Sequence, residues 1–180
     1  PGELTSDFTI DTILWPQAGR DTDMPDLGYH YGSLDYVVSG RTRTNSTLTL
    51  TNGVALGTYG VSNSYGIYVR KSGNLVSEGT PANLNQIVRY NTVQEQANTN
   101  WSATTVAHSV KVSPDGGTVP KGSFRFTGWS LLGGRGYHFN ADCVYLSTVF
   151  SFKDCQFGPG SFNGAGCGIA ITNCLLERVI

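Results

Sequence analysis

Short runs in which apolar and polar residues alternate recur along the whole chain, and a turn-forming Gly or Asn closes most of them. Alternation with a period of two places successive side chains on opposite faces of a β-strand. The 3.6-residue period of an amphipathic helix is almost absent, so the pattern predicts an all-β protein of many short strands. The clearest runs are residues 48–50, 67–69, 87–93, 110–112, 124–126, 149–152 and 169–171.

Similar segments also repeat at spacings of 19 to 26 residues. Residues 151–157 align without gaps to residues 170–176, and residues 125–131 fit the same template 26 positions before the first of these. Earlier in the chain, residues 48–53 precede residues 67–70 by 19 positions. Such a repeat is typical of one coil of a parallel β-helix. An immunoglobulin-like sandwich is the alternative, but its strands give no gapless repeat at a fixed spacing.

Stacked coils would place equivalent residues above one another, about 4.8 Å apart. An Asn or Asp at such a position can hold a tight turn through side-chain hydrogen bonds. The 19-residue alignment predicts three stacked pairs, which are Phe152 with Ile171, Cys155 with Cys174, and Asp154 with Asn173.

A motif near the N-terminus carries a family resemblance. Residues 21–31 read Asp-Thr-Asp-Met-Pro-Asp-Leu-Gly-Tyr-His-Tyr, and the Phe-x-x-Cys and Asn-Cys coils follow later. This arrangement resembles the junction and opening coils of right-handed parallel β-helix repeat domains in large secreted and surface proteins of environmental bacteria. The resemblance covers most of the chain and implies a right-handed, single-stranded solenoid in an extracellular or cell-surface setting. It implies a fold rather than an activity.

We accordingly expect residues 1–40 to form a junction or N-terminal cap and residues 41–180 to form an incomplete series of coils. Residues 175–180 read as part of a further coil rather than as a cap. Because an uncapped coil exposes unpaired backbone groups and an open core, we expect that the solenoid continues or that another copy stacks on it end to end.

Composition excludes two classes of partner. Charged residues make up 14% of the chain, the formal net charge is -1, and no run of Lys or Arg occurs. Nucleic-acid binding, which needs a basic surface, is therefore not expected. No apolar run approaches the roughly 18 to 20 residues of a membrane-spanning helix.

The cysteines Cys143, Cys155, Cys167 and Cys174 all lie in the last quarter of the chain. Because Cys155 and Cys174 occupy equivalent places in two coils, small buried hydrophobic residues are the favoured interpretation. One disulfide is the main alternative. A zinc or catalytic site is less favoured because no Cys-x-x-Cys pair occurs.

Candidate metal ligands and catalytic residues are few. Asp21, Asp23 and Asp26 could offer oxygen ligands to Ca2+, but turn chemistry is the favoured interpretation and no other cofactor is expected. Parallel β-helices also carry polysaccharide lyases and hydrolases, whose chemistry needs clustered carboxylates or a base beside bound Ca2+. The weak catalytic candidates on outward coil positions are Asp142, Lys153 and Arg135. The Asn-Thr-Asp, Asp-Asp, Gly-His-Gly and Arg-Ile-Lys patches of polygalacturonase-type sequences are missing.

Aromatic residues supply the remaining candidates. Trp101 lies in a polar segment, where an exposed ring could pack against a sugar, although anchoring of a loop is the favoured interpretation. Trp15 and Trp129 suggest packing. His138 follows a Gly-rich stretch that suggests a long turn between coils, with Tyr137 and Phe139 shielding the core.

The sequence therefore predicts a non-enzymatic extracellular scaffold or adhesion segment that contacts extracellular polysaccharide or associates end to end. The competing hypothesis is that the chain is part of a pectate-lyase-like lyase or glycoside hydrolase whose catalytic coils lie mostly downstream.

Overall fold

Short β-strands make up the regular structure of the protein. The computed structural model describes residues 1–19, 33–60, 64–90, 108–114, 119–130, 136–143 and 149–180, and none of these lies in an α-helix. This confirms the all-β prediction. The strands are β1 (Gly2–Leu4), β2 (Thr12–Leu14), β3 (Tyr36–Val38), β4 (Arg41–Thr44), β5 (Thr47–Thr51), β6 (Ala55–Thr58), β7 (Tyr65–Arg70), β8 (Asn74–Glu78), β9 (Asn85–Arg89), β10 (His108–Ser113), β11 (Lys121–Arg125), β12 (Thr127–Ser130), β13 (Tyr137–Ala141), β14 (Val149–Lys153), β15 (Gln156–Phe157), β16 (Ser161–Asn163), β17 (Gly168–Thr172) and β18 (Leu175–Leu176).

Three parallel sheets enclose one core. Sheet A contains β1, β3, β6, β9, β12, β15 and β18, sheet B contains β4, β7, β10, β13 and β16, and sheet C contains β2, β5, β8, β11, β14 and β17. The chain visits sheets A, B and C in turn, and each strand pairs in parallel with its equivalents in neighbouring coils. This is a parallel β-helix solenoid, as predicted. The antiparallel pairing of an immunoglobulin-like sandwich is excluded.

The 19-residue repeat is confirmed in the last coils. Phe152 of β14 pairs with Ile171 of β17, and Gln156 of β15 pairs with Leu175 of β18. Both partners are 19 positions apart because no residues are inserted between these coils.

The 26-residue spacing is wrong. Arg125 pairs with Lys153, 28 positions later, rather than with Ser151. A slip of two residues leaves the same side chains facing inward, because side chains alternate with a period of two. The apolar pattern alone therefore cannot separate the two registers.

The earlier 19-residue match is also wrong. Leu48 of β5 pairs with Leu75 of β8, 27 positions later. The matched residue Ile67 lies in β7, which belongs to sheet B rather than to sheet C. The sequence match thus aligned a strand of sheet C with a strand of sheet B in the next coil. The two strands have the same alternation of apolar and polar residues.

A single residue with left-handed backbone turns the chain from sheet C to sheet A in several coils. The φ angles are 55° at Asn52, 47° at Phe126, 53° at Asp154 and 51° at Asn173. Asn and Asp tolerate this conformation better than most residues. The Asn173 amide also donates a 2.6 Å hydrogen bond to the Asp154 carboxylate, which confirms the predicted stacked pair.

A second stack inside the corner contains Ser77 of β8 and the residues that follow three of these turns, which are Thr127, Cys155 and Cys174. The hydroxyls of Thr127 and Ser77 lie 2.8 Å apart, and the Cys155 thiol donates to the carbonyl of Phe124 at 3.4 Å. The Cys174 sulfur in turn accepts the backbone N–H of Cys155 at 3.4 Å. Cys155 and Cys174 are free thiols stacked as predicted, the first buried and the second half-buried.

The other two cysteines form a disulfide. Cys143, which follows β13, bonds to Cys167, which precedes β17, across a separation of 24 residues. The expectation of buried reduced cysteines is therefore wrong for this pair. Each of the two lies outside the 19-residue alignment, so that alignment said nothing about their positions.

Aromatic rings fill the core of the C-terminal coils. The rings of Phe124 and Phe152 stack at 4.8 Å between centroids, and those of Trp129 and Phe157 stack at 5.8 Å. Trp129 is 2% exposed, which confirms its predicted packing role. Trp15, by contrast, is 53% exposed, so the packing interpretation is wrong for that residue.

Buried polar side chains attach the N-terminal segment to the coils. The Asp35 carboxylate accepts the backbone N–H groups of Gln17 and Ala55 at 2.6 and 2.7 Å. The fully buried Arg43 donates to the carbonyl of Phe8 at 2.9 Å, and burial lowers the pKa of Arg43 to about 10. Strands β1 and β2 extend sheets A and C. The predicted domain boundary after residue 40 stays a prediction.

Candidate functional site

The catalytic candidates from the sequence do not form one site. Asp142 follows β13 at the corner between sheets B and C. Lys153 ends β14 at the corner between sheets C and A, so the length of β14 separates the two side chains. The remaining sequence candidates lie outside the described residues, and their roles stay predictions: Arg135, Trp101, Asp21, Asp23 and Asp26.

Across the described ranges, no three His, Cys, Asp or Glu side chains lie close enough together to hold a metal ion. The candidate Ca2+ ligands are not among those ranges. In the same part of the chain, no helix has the length and apolar character needed to cross a membrane.

His138 lies in a strand rather than in a turn. It belongs to β13, is fully buried, and its Nε2 atom lies 3.0 Å from the carbonyl oxygen of Gly158. Phe139 is in the core, whereas Tyr137 is 37% exposed and its ring contacts that of His108. The predicted long turn is therefore wrong over residues 137–141, and His138 is closed off from any ligand.

The outer surface of sheet B carries two adjacent rows of aromatic and polar side chains, with one residue from each coil. Strand pairing defines both rows, because paired residues of neighbouring strands lie side by side. We name this surface the sheet B face. Its first row is Tyr65, His108, Tyr137 and Ser161, and its second row is Tyr68, Lys111, Asn140 and Asn163.

The first row is mainly aromatic. The rings of His108 and Tyr137 lie 5.3 Å apart between centroids, and the ring of Tyr65 lies 4.9 Å from that of Tyr68 in the second row. Tyr137 is the exposed member, while Tyr65 and His108 are half-buried. Together the rings form an amphipathic surface with polar atoms at its rim.

The second row is rich in hydrogen-bonding groups. The Asn163 amide donates to Asn140 Oδ1 at 2.7 Å, and the Asn140 amide lies 3.0 Å from His108 Nδ1. The Lys111 ammonium lies 5.1 Å from the centroid of the Tyr68 ring, within range of a cation–π interaction. These contacts link the two rows and hold their side chains in place.

The Asn140 amide packs against the His108 ring. Its nitrogen lies 3.0 Å from Nδ1 and 3.4 Å from Nε2, while Asn140 Oδ1 accepts from Asn163. Burial lowers the pKa of His108, and the charge of Lys111 lowers it further, which favours the neutral ring.

The strands of sheet B contain four cationic residues and no Asp or Glu. Two of them, Arg41 and Arg43, belong to β4 and lie outside the two rows, and the buried Arg43 lies 3.7 Å from the carboxylate of Asp11. Arg70 and Lys111 flank the ring of Tyr68. Lys111 is therefore the cationic member of the two rows.

Sheet A carries a groove of about 350 Å3 over β12 and β15, lined in part by Gln86, Gly128 and Gln156. Trp129 and Phe157 also line it but are 2% and 1% exposed, so neither presents a ring face to a ligand. The sheet B face, by contrast, includes the exposed ring of Tyr137.

No protein-family model, curated protein or solved structure matches this chain. The site is therefore argued from its own residues. Sequence reasoning missed the sheet B face because Tyr65, His108 and Tyr137 are 43 and 29 positions apart. The alternating apolar residues of β7, β10 and β13 indicate three strands. The number of residues between these strands is unequal, so the sequence does not show that they pair.

Proposed function

We propose that this protein is a non-enzymatic, extracellular parallel β-helix segment that contacts polysaccharide through the sheet B face. The single observation that carries the proposal is the pairing of an aromatic row with a row of amide and amine groups across successive coils. Sugars have apolar C–H faces that pack on aromatic rings and hydroxyls that exchange hydrogen bonds with amides.

The geometry of the solenoid suits a polymer. Neighbouring parallel strands lie about 4.8 Å apart, which is close to the length of one pyranose unit in an extended chain. A polysaccharide lying along the solenoid axis would meet an equivalent row position at each coil. Rows that continue from β7 to β16 thus support contact with several consecutive sugar units.

The extracellular setting is supported by the Cys143–Cys167 disulfide. Structural disulfides persist in oxidising compartments and are rare in reducing ones. An extracellular protein would also encounter polysaccharides in this setting. End-to-end association of copies stays a separate prediction.

The first experiment measures binding and turnover together. The oxidised chain is titrated with soluble neutral and acidic polysaccharides in affinity electrophoresis and calorimetry, and the mixtures are then assayed for new reducing or unsaturated ends. We expect binding without new ends. New ends that accumulate with time would instead support the lyase or hydrolase hypothesis and would contradict the non-enzymatic proposal.

A matched pair of variants locates the contact. Tyr137→Ala removes an exposed ring of the first row, whereas Tyr137→Phe keeps the ring and removes only the hydroxyl. Stacking of a sugar predicts that Tyr137→Ala weakens binding by about tenfold, in the range of a lost aromatic contact, while Tyr137→Phe stays close to the unchanged protein. Equal binding by all three proteins would exclude the sheet B face as the contact surface.

A further inference from the structure

We infer that the polysaccharide bound by the sheet B face is acidic, carrying carboxylate or sulfate groups that pair with Lys111. This inference rests on the proposed function and adds the chemical class of the ligand. It follows from the surroundings of Lys111.

Lys111 is placed to receive an anion. Its ammonium lies 5.1 Å from the centroid of the Tyr68 ring, and Lys111 pairs across strands with Tyr68 on one side and Asn140 on the other. Among the described residues, no carboxylate lies within 4.0 Å of this ammonium, and none belongs to any strand of sheet B. The cation therefore lacks a partner of opposite charge on the surface where it stands.

Sheet C has a different arrangement. Arg125 pairs across strands with Glu78, and its guanidinium lies 3.5 Å from the carboxylate of Asp154. Arg125 therefore has acidic neighbours within the protein, whereas Lys111 has none within 4.0 Å among the described residues. An ammonium without an acidic neighbour attracts an anionic group of a ligand.

The neighbouring groups also favour an anion. The side-chain amides of Asn140 and Asn163 supply hydrogen-bond donors in the same row as Lys111. Donors beside a cation suit carboxylate and sulfate oxygens, which only accept hydrogen bonds. Both anions share this chemistry, so the test distinguishes them.

The experiment compares three polymers on the same protein: a polyuronate, a sulfated polysaccharide and a neutral glucan. We expect the acidic polymers to bind more tightly than the neutral one, with a preference that falls as salt is raised from about 20 to 300 mM. The stronger acidic binder identifies whether carboxylate or sulfate is preferred.

Variants separate the role of charge from that of the fold. Lys111→Gln should weaken acidic binding by about tenfold, as expected for a lost charged hydrogen bond, and should leave neutral binding unchanged. Lys111→Arg should restore acidic binding. Lys121→Gln, which removes an exposed lysine from sheet C, is the matched control and should bind as the unchanged protein does. Thermal unfolding midpoints confirm that each variant is folded.

The outcomes separate the two proposals. Equal affinity for neutral and acidic polymers, with no effect of Lys111→Gln but a loss with Tyr137→Ala, overturns the inference on charge and leaves the proposed function standing. An equal loss with Lys111→Gln and Lys121→Gln also overturns it, because the effect would then report net charge alone. Failure of all three polymers to bind overturns both.

Discussion

The side-chain amide of Asn173 donates a 2.6 Å hydrogen bond to the carboxylate of Asp154 in the preceding coil, and both residues have left-handed backbone. The two are 19 positions apart and turn the chain at the same corner. The stack thus combines a conformational requirement with a polar contact between coils.

The conformational requirement can be measured on its own. Asn173→Gly and Asn173→Val both remove the hydrogen bond, but only Val opposes the left-handed backbone. Because a side chain branched at Cβ is strained in this conformation, we expect Asn173→Val to unfold with about 1–2 kcal/mol less stability than Asn173→Gly. Urea unfolding of the two variants gives the difference. Equal midpoints would mean that the corner readily adopts another conformation.

Cys155 should tolerate a small apolar side chain and reject a charge. Cys155→Asp places a carboxylate in the core beside the carbonyl of Phe124, and we expect a loss of about 3 kcal/mol or more, or failure to fold. Cys155→Ala, the control, should lose about 1 kcal/mol. Comparable thermal stability of the two variants would contradict the buried stack.

Reactivity gives an independent check on the same corner. Burial raises the pKa of the Cys155 thiol to about 12, whereas Cys174 is only half-buried. Thiolate is the reactive form, so a thiol reagent at about pH 8 should label Cys174 well before Cys155. Peptide mapping of the labelled protein identifies the order of reaction.

The disulfide should contribute a large part of the stability of the last coils. The chain-entropy estimate for a loop closed by Cys143 and Cys167, 24 residues apart, is about 3 kcal/mol. We expect the double variant Cys143→Ala, Cys167→Ala to lose about this amount in denaturant unfolding. Thiol titration of the denatured protein should give two thiols before reduction and four after it. Four thiols before reduction would contradict the pairing.

His138 should make stability depend on pH. Burial lowers its pKa below the ordinary value of 6.5, and this effect outweighs the opposing hydrogen bond to Gly158. The unfolded chain then binds a proton more readily than the folded one, so stability falls as the pH drops below about 6.5. Protonation would also leave a buried N–H at Nδ1, an atom with no hydrogen-bond partner among the described residues.

A substitution isolates this contribution. His138→Gln does not titrate and can still donate to the Gly158 carbonyl. Thermal midpoints measured between about pH 7.5 and pH 5 should fall less for His138→Gln than for the unchanged protein. His108 adds a slope of the same sign, because its pKa is also lowered, and this slope remains in the variant. Identical slopes in both proteins would mean that folding does not lower the pKa of His138.

The fold could be predicted from the sequence because one pair of coils has no insertion. Phe152 and Ile171 are equivalent residues at the shortest spacing, so the repeat between them is visible as a gapless alignment. Leu75 and Gly122 are equally well paired in sheet C, but 47 positions separate them. Alternation identifies strands in both cases, whereas only an uninterrupted coil reveals which strand is its neighbour.

The candidate site could not be predicted for the same reason. His108 and Tyr137 are distant in sequence and become neighbours only through strand pairing. The disulfide likewise depends on a corner geometry that no local pattern encodes. Trp15 was misinterpreted because an aromatic residue beside Pro is consistent with packing, although its ring is in fact exposed.

The unequal length of the coils has a consequence for how such a surface can change. Insertions between strands leave the rows of the sheet B face in register, since Tyr68, Lys111 and Asn140 remain side by side despite the differing lengths between them. Each coil contributes one outward residue to a row, and the core residues beneath it need not change. The side chains of the sheet B face can therefore be changed by single substitutions in individual coils while the fold is retained.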